Sequence, residues 1–439
     1  MTSTDAPDDL CQHLADEAIA QARPGETVRA HVHRVCSRTY ELFGDGPIRS
    51  SRTDGPPQTL LTVEHDGREA YASCPGTDRL AVASALDALR AELRHCPVTY
   101  TASAPPLYER RIAGSAHGPD PLSARLAAFR EHLCGSLAEG LLRGQSLASA
   151  QVGERFTYAS FSASGTERLM SRQHGYEVRA VATDEATGAA VAATRYSTAG
   201  EPVNQTDLAQ ELSLMLAAAS APGSPVCADG TALLMPTATA QLLRQLVAAM
   251  MANPLTKPVD WATEIVDDAM DRRGYASRPF DHEGTPTGVF PLVGRNGRQA
   301  PIRSHNAVIG PPLATQEFLT GHANWLVWQT CPQPAPSNVR FHSTYEQGDF
   351  HPSSHQQTIV DIRPLGVQHL SSGENLAFRA ARVSVDDRGA VKPLPPVVLS
   401  GTPRDFLLAV TSVSDVVSYM PGDVSAAGSA VVMDFSRLA

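Results

Sequence analysis

Apolar residues recur along this chain in two periods, and the change from one to the other predicts its elements. In 10-LCQHLADEAIAQA-22 they return every three or four positions, the spacing of a helix with one buried face. The same spacing marks 79-RLAVASALDALRAELRHC-96, 122-LSARLAAFREHLCGSLAEGLL-142, 206-TDLAQELSLMLAAASA-221 and 238-ATAQLLRQLVAAMMA-252 as helices, with Thr206 placed as the N-cap of the fourth. Alternation and β-branched residues predict strands in 26–42, 59–74, 154–185 and 188–200, and again at 357–366, 375–391, 396–402 and 429–438. A long turn-rich region precedes the late strands, so the second half is mostly β.

At 439 residues the chain exceeds what one core usually supports, about 250–300 residues, and two domains are expected. The Pro/Gly-rich stretch 103–121 reads as a loop or lid. Hydrophobic content of 42% with 19% charged residues is that of a folded globular protein. A formal charge of -10 disfavours a nucleic-acid partner, which phosphate contacts would hold through a surplus of Lys and Arg. Asp5, Asp8 and Asp9 stand where an export signal would be positive, so a cytoplasmic chain is expected. The most apolar segment, 232–252, is interrupted by Pro236, Gln241, Arg244 and Gln245, short of the ~20 apolar residues of a membrane span. Seven widely spaced cysteines without a CxxC pair predict reduced, mostly buried thiols.

Candidate chemistry begins with 278-RPFDHEGTPTG-288, whose His282 and Glu283 are the first two letters of a zinc-hydrolase signature. That signature needs a second imidazole one helical turn on, but Gly284 and Pro286 interrupt any helix and no second His follows. No metal is expected on His282 from this local motif. A weaker alternative is 349-DFHPSSHQQ-357, where His351 and His355 lie four apart with His342 upstream, and a stand-alone metal enzyme could be built on them. The run 160-SFSASGTERL-169 lacks the first glycine of a serine-nucleophile elbow. The fragment 294-GRNGRQ-299 lacks the Lys-Ser/Thr ending of a phosphate loop and predicts a hairpin turn.

Six phrases in order, 161-FSASGTERL-169, 232-ALLMPTATAQLLRQLVAAM-250, 278-RPFDHEGTPTG-288, 319-LTGHAN-324, 335-APSNVRF-341 and 397-VVLSGTPRDFLLAVTSV-413 with 429-SAVVMDF-435, resemble the TldD/TldE (PmbA) metallopeptidase family. The resemblance implies an α+β fold, with an N-terminal α+β domain over 1–225 and a C-terminal domain over 226–439 built on a curved, largely antiparallel sheet. TldD-type subunits carry a zinc-binding HExxxH on the helix after Pro236, and those positions fall on Arg244, Gln245 and Ala249, none of which can serve as ligand or base. The late cysteine ligand is also missing, since the last cysteine is Cys331. The chain therefore looks like a TldE-type subunit without zinc or catalytic residues of its own. The resemblance implies zinc in a TldD-like partner and a peptide or small amide as substrate. N-deacetylation in specialised-metabolite or antibiotic biosynthesis is a further alternative. Asp281, His282, Glu283 and His322 are the loop candidates for lining the cavity, with Asp281 and Glu283 expected to hold a tight turn.

Overall fold

The computed structural model describes residues 7–42, 48–74, 78–96, 126–165, 168–198, 203–259, 263–304, 308–309, 319–325, 329, 331–343, 350–370, 373–421 and 425–438; the loop expected at 103–121 lies outside them. The first half runs α1 (Pro7–Ile19), β1 (Thr27–Glu41), β2 (Arg49–Asp54), β3 (Gln58–His65), β4 (Arg68–Cys74), α2 (Arg79–Leu93), α3 (Leu126–Glu139), β5 (Gln145–Ala163), β6 (Leu169–Asp184), β7 (Ala190–Thr198) and α4 (Gln205–Ala219). Its strands form one antiparallel sheet in the order β4-β3-β1-β5-β6-β7, with β2 pairing along β1. The apolar run at 59–74 is a hairpin, because Asp66-Gly67 forms the two-residue turn that joins β3 to β4.

Side chains alternate across a strand, so β1 presents two different faces. Val28, Ala30 and Val32 pack with Leu61 and Val63 of β3 beneath Leu14 of α1 and Leu86 of α2. Arg29, His31 and His33 lie on the opposite face, which the second half of the chain covers.

The second half continues with β8 (Val226–Cys227), β9 (Thr231–Leu234), α5 (Pro236–Ala252), β10 (Thr263–Asp268), β11 (Val289–Val293), β12 (Ile302–Arg303), β13 (Val308–Ile309), β14 (Ala323–Asn324), β15 (Gln333–Pro334), β16 (Asn338–Ser343), β17 (Thr358–Leu370), β18 (Gly373–Val385), β19 (Val391–Gly401), α6 (Pro403–Ala409), β20 (Val410–Val413), β21 (Ser418–Met420), β22 (Ser425–Gly428) and β23 (Val431–Asp434). A curved sheet, β20-β23-β9-β17-β18-β19-β8, is antiparallel except at β9–β17 and β8–β19. A smaller sheet, β11-β10-β16-β22-β21, carries the loops described below. The α+β architecture with a largely antiparallel second sheet is thus present.

Helix α4 is apolar on nearly every side because it lies between the two large sheets. Leu208, Leu212 and Leu216 meet Val152 and Val178 of the first sheet and Val360 and Val383 of the second. One core therefore crosses the boundary expected near residue 225. On the other face of the curved sheet, Leu242 and Leu246 of α5 and Phe406 of α6 pack with Ile362 and Phe378. The cap of α4 is Asn204, whose side chain accepts from Asp207 N at 3.2 Å; Thr206, expected there, lies inside the first turn.

The start of α5 is held from a distance. Met235 offers no side-chain cap, and Glu211 of α4 accepts from Thr237 N at 2.8 Å, placing an anion at the helix N-terminus. Arg195 of β7 pairs with that buried carboxylate and donates to Thr237 Oγ1 at 3.1 Å. Burial draws the Arg195 pKa down to about 10 despite the nearby Asp207 charge. Among the described residues no helix is long and apolar enough to cross a membrane. All seven cysteines are free; Cys11, Cys36 and Cys74 are buried, whereas Cys227 is exposed.

Candidate functional site

The three phrases RPFDHEGTPT, LTGHAN and APSN, far apart in sequence, meet beside β10. The first is a tight hairpin: Phe280 bridges Pro286, and Asp281 N donates to Thr285 O at 2.9 Å. The Asp281 carboxylate organises it, Oδ1 accepting from Glu283 N and Thr285 N at 2.9 Å each and Oδ2 from Ala323 N at 2.9 Å. Asp281 thus holds the tight turn expected of it and joins that turn to the LTGHAN segment. Burial raises its pKa, opposed by the charge of Arg278 and by these backbone bonds. Gly284 sits at φ +80 with its α-carbon against the ring of Phe161, where a Cβ would lie 2.3 Å from Cε1.

Asp267, at 1% exposure, fastens the other two phrases. Its carboxylate accepts from Ser337 N and Ser337 Oγ at 2.8 Å, from Asn338 N at 2.7 Å, and meets His322 Nε2 at 3.1 Å. The other nitrogen of His322 lies 2.7 Å from Thr320 O, so both ring nitrogens face oxygen acceptors. His322 is thereby a structural tie. Burial works against ionisation of Asp267, but the His322 and Ser337 bonds outweigh it and hold the carboxyl below the ordinary range.

The hairpin delivers His282 to the polar face of β1. His31, His33 and His282 each offer a ligand nitrogen, and these atoms all lie within 4.8 Å of one another. They are the metal-capable group of three among the described residues. The His31 and His282 ring centroids are 4.5 Å apart, and those of His31 and His33 are 6.3 Å apart. His31 is 4% exposed, and the Nδ1 atoms of His31 and His33 are buried without a hydrogen-bond partner. His282 Nδ1 is engaged with Ala323 O at 3.1 Å, Arg278 Nη1 at 3.2 Å and Trp325 N at 3.3 Å. Burial, then the Arg155 charge, pulls the His33 pKa down to about 4. Burial likewise depresses His31 and His282 well below the usual imidazole range, helped by their neighbours and Arg278. Three neutral imidazoles with available lone pairs are a ligand set for a borderline or soft divalent metal.

The sequence pointed to one of these three ligands and set it aside as locally unsupported. His31 and His33 were missed, although an H-x-H on a predicted strand necessarily puts both imidazoles on one face. The alternative set is not brought together. His342 lies in β16 opposite Glu264, while His351 and His355 flank a short 3-10 turn at Pro352–Ser354, where His351 caps Ser353 N and both histidines are extended. Their four-residue spacing is therefore not helical, and among the described residues they form no metal-capable group. The 294–299 fragment is the expected hairpin turn, with Gly294 N donating to Arg298 O at 3.1 Å.

On α5, Arg244 donates to the main-chain carbonyls of Met420 at 2.6 Å and Pro421 at 2.7 Å. Gln241 accepts from Ile362 N at 2.8 Å and donates to Asp361 at 2.9 Å. The polar stripe of this helix is thus used to bind backbone and a neighbouring strand.

These features define an α+β protein with two large sheets sharing a central helix, a smaller sheet that carries the loops, a metal-capable histidine group where its halves meet, and an α5 whose Arg244 and Gln241 hold neighbouring backbone. That fold is the one seen in TldE from Thermococcus kodakarensis, with a TM-score of 0.67 and 13% identity over 97% of this chain and 98% of that one. Candidate modulators of DNA gyrase from Thermotoga maritima (TM-score 0.66, 15% identity, 96% and 98% covered) and Bacteroides thetaiotaomicron (0.66, 14%, 98% and 98%) share it. No protein-family profile and no curated protein matches the sequence.

Proposed function

We propose that this chain is the non-peptidase subunit of a two-component amide hydrolase, pairing with an HExxxH-bearing TldD-type chain and shaping the cavity that admits a peptide or small amide. The observation that carries this is α5, the helix on which the resemblance places the zinc ligands. Its Arg244 is a permanent cation spent on two carbonyls, Gln245 cannot take up a proton, and Ala249 has no donor atom. Hydrolytic zinc therefore belongs to the partner. The likeness to TldE over nearly the whole chain supports the same assignment.

The test is co-expression with a TldD-type chain from the same genome, followed by sizing and an amide-hydrolysis assay on each chain and on the mixture. The expected result is co-elution, with hydrolysis by the complex and none by this chain alone. Hydrolysis by the isolated chain, or failure of the two chains to associate, would overturn it.

A further inference from the structure

We propose that His31, His33 and His282 bind one divalent first-row transition ion of the zinc type, which staples β1 to the 280–286 hairpin. This goes beyond the hydrolase assignment and does not rest on it. It departs from the expectation of a chain without metal.

The ligands come from two rigid sources. His31 and His33 are fixed in the middle of the first sheet, opposite Phe161 and Ala159 of β5. His282 is set by its own N–H to Ala323 O at 3.1 Å and by the Asp281-centred turn. A buried ring nitrogen left without a partner costs on the order of 1–3 kcal/mol. An ion coordinated there removes that cost. For His282, Nδ1 is the nitrogen already engaged, by Ala323 O, Arg278 Nη1 and Trp325 N, so Nε2 is the ligand atom; loading requires the Nδ1–H tautomer, with Ala323 O as its acceptor and the two donors displaced.

Tetrahedral zinc holds nitrogen at about 2.0–2.1 Å, so loading must draw ligand atoms now up to 4.8 Å apart closer by small ring rotations. The charges that oppose a dication are Arg278 and, beside His33, Arg155; the carboxylates of Asp281 and Asp267 offset that of Arg278. Asp281 has both oxygens committed to backbone N–H groups and is unavailable as a base for water activation. A holding function follows, with water completing the ion's coordination.

The untagged full-length chain is stripped with a chelator, equilibrated with Zn(II), dialysed and assayed for metal per chain. One zinc per chain is expected for the wild type and for His351→Ala/His355→Ala, with affinity lowered at least about 100-fold in His33→Ala, beyond the loss typical of a second-shell partner. Zinc should slow hydrogen exchange over 279–287 in the wild type and leave it unchanged in His33→Ala. X-ray absorption of the wild type should show imidazole nitrogen at about 2.0 Å and no sulfur. Substoichiometric retention, undiminished binding by His33→Ala, or a thiolate in the first shell overturns the proposal. If His33→Ala fails to fold, the wild-type absorption spectrum decides: imidazole supports the site, and sulfur-containing or oxygen-only ligation refutes it.

Discussion

Replacing Asp267 by Asn tests whether one carboxylate fastens the APSN and LTGHAN segments to β10. The native group accepts from two backbone N–H groups, one hydroxyl and one imidazole. An amide of the same shape keeps only one oxygen. With its NH2 at the Oδ1 position, the Ser337 hydroxyl can turn to accept, but Asn338 N–H faces another donor. With NH2 at the Oδ2 position, His322 can switch tautomer, but Ser337 N–H is stranded. Either orientation leaves one buried main-chain donor unpaired, costing about 1–3 kcal/mol, and the remaining bonds lose the extra strength of a charged acceptor.

The net expectation is a loss of about 3 kcal/mol in the local opening free energy, or roughly 100-fold faster exchange of the amides it protects. Hydrogen-exchange mass spectrometry on peptides covering 335–340 and 319–325 reads this directly. The pH dependence has a defined sign. Because the folded pKa of Asp267 lies below its unfolded value, near ~3.9, its stabilisation is complete above that value and is lost as pH falls through the lower folded one. The wild type should therefore lose protection in these peptides only in strongly acidic solution, while Asp267→Asn shows no such step. Unchanged protection in a folded Asp267→Asn protein would refute the assignment of Asp267 as the fastening group.

Two further substitutions probe the same framework. Gly284→Ala should lower the urea midpoint by an amount corresponding to about 2–4 kcal/mol, because a Cβ there meets both a left-handed backbone and the Phe161 ring; a change under ~0.5 kcal/mol would contradict the packing. Arg195→Met should cost about 3–5 kcal/mol in the same assay by leaving the Glu211 carboxylate buried without its cation, and adding Glu211→Gln should recover part of it; equal losses in the single and double variants would show that the pair is not coupled.

What could be read from the sequence follows from where the information lies. Helices α2 and α5 have strong 3.6-residue periodicity over more than three turns, and their buried sets, such as Val82, Leu86, Leu89 and Leu93, fall where that period puts them. The strand pattern was legible because β1 and β3 alternate between a helix-covered face and a polar one. The cap of α4 was misplaced by two residues, since Asn204 and Thr206 are both good capping types and only the backbone distinguishes them. The histidine group was not legible because its third member comes from a hairpin some 250 residues away in sequence, and no local spacing encodes that approach. The contiguous 351/355 pair was visible for the opposite reason, and its 3-10 turn removes the geometry that made it attractive.

The phrases that carried the family resemblance turn out to be fold-making in their own right. Asp281 accepts from two N–H groups of its turn and from Ala323 N of the LTGHAN segment, and Asn338 Nδ2 donates to Asp268 O at 3.1 Å and to Ser277 Oγ at 2.9 Å. At Gly321 an added Cβ would lie 2.5 Å from the Pro286 carbonyl oxygen, so the close approach of the two loops needs a residue without a side chain. Each of these groups satisfies buried backbone or permits a close approach, and any chain adopting this arrangement of loops meets the same demands whatever its chemistry. Such phrases therefore report architecture. Function must be argued from groups the fold does not itself consume, and in this chain those are the ring nitrogens of His31 and His33, buried without partners on the face of β1 that the His282 hairpin covers.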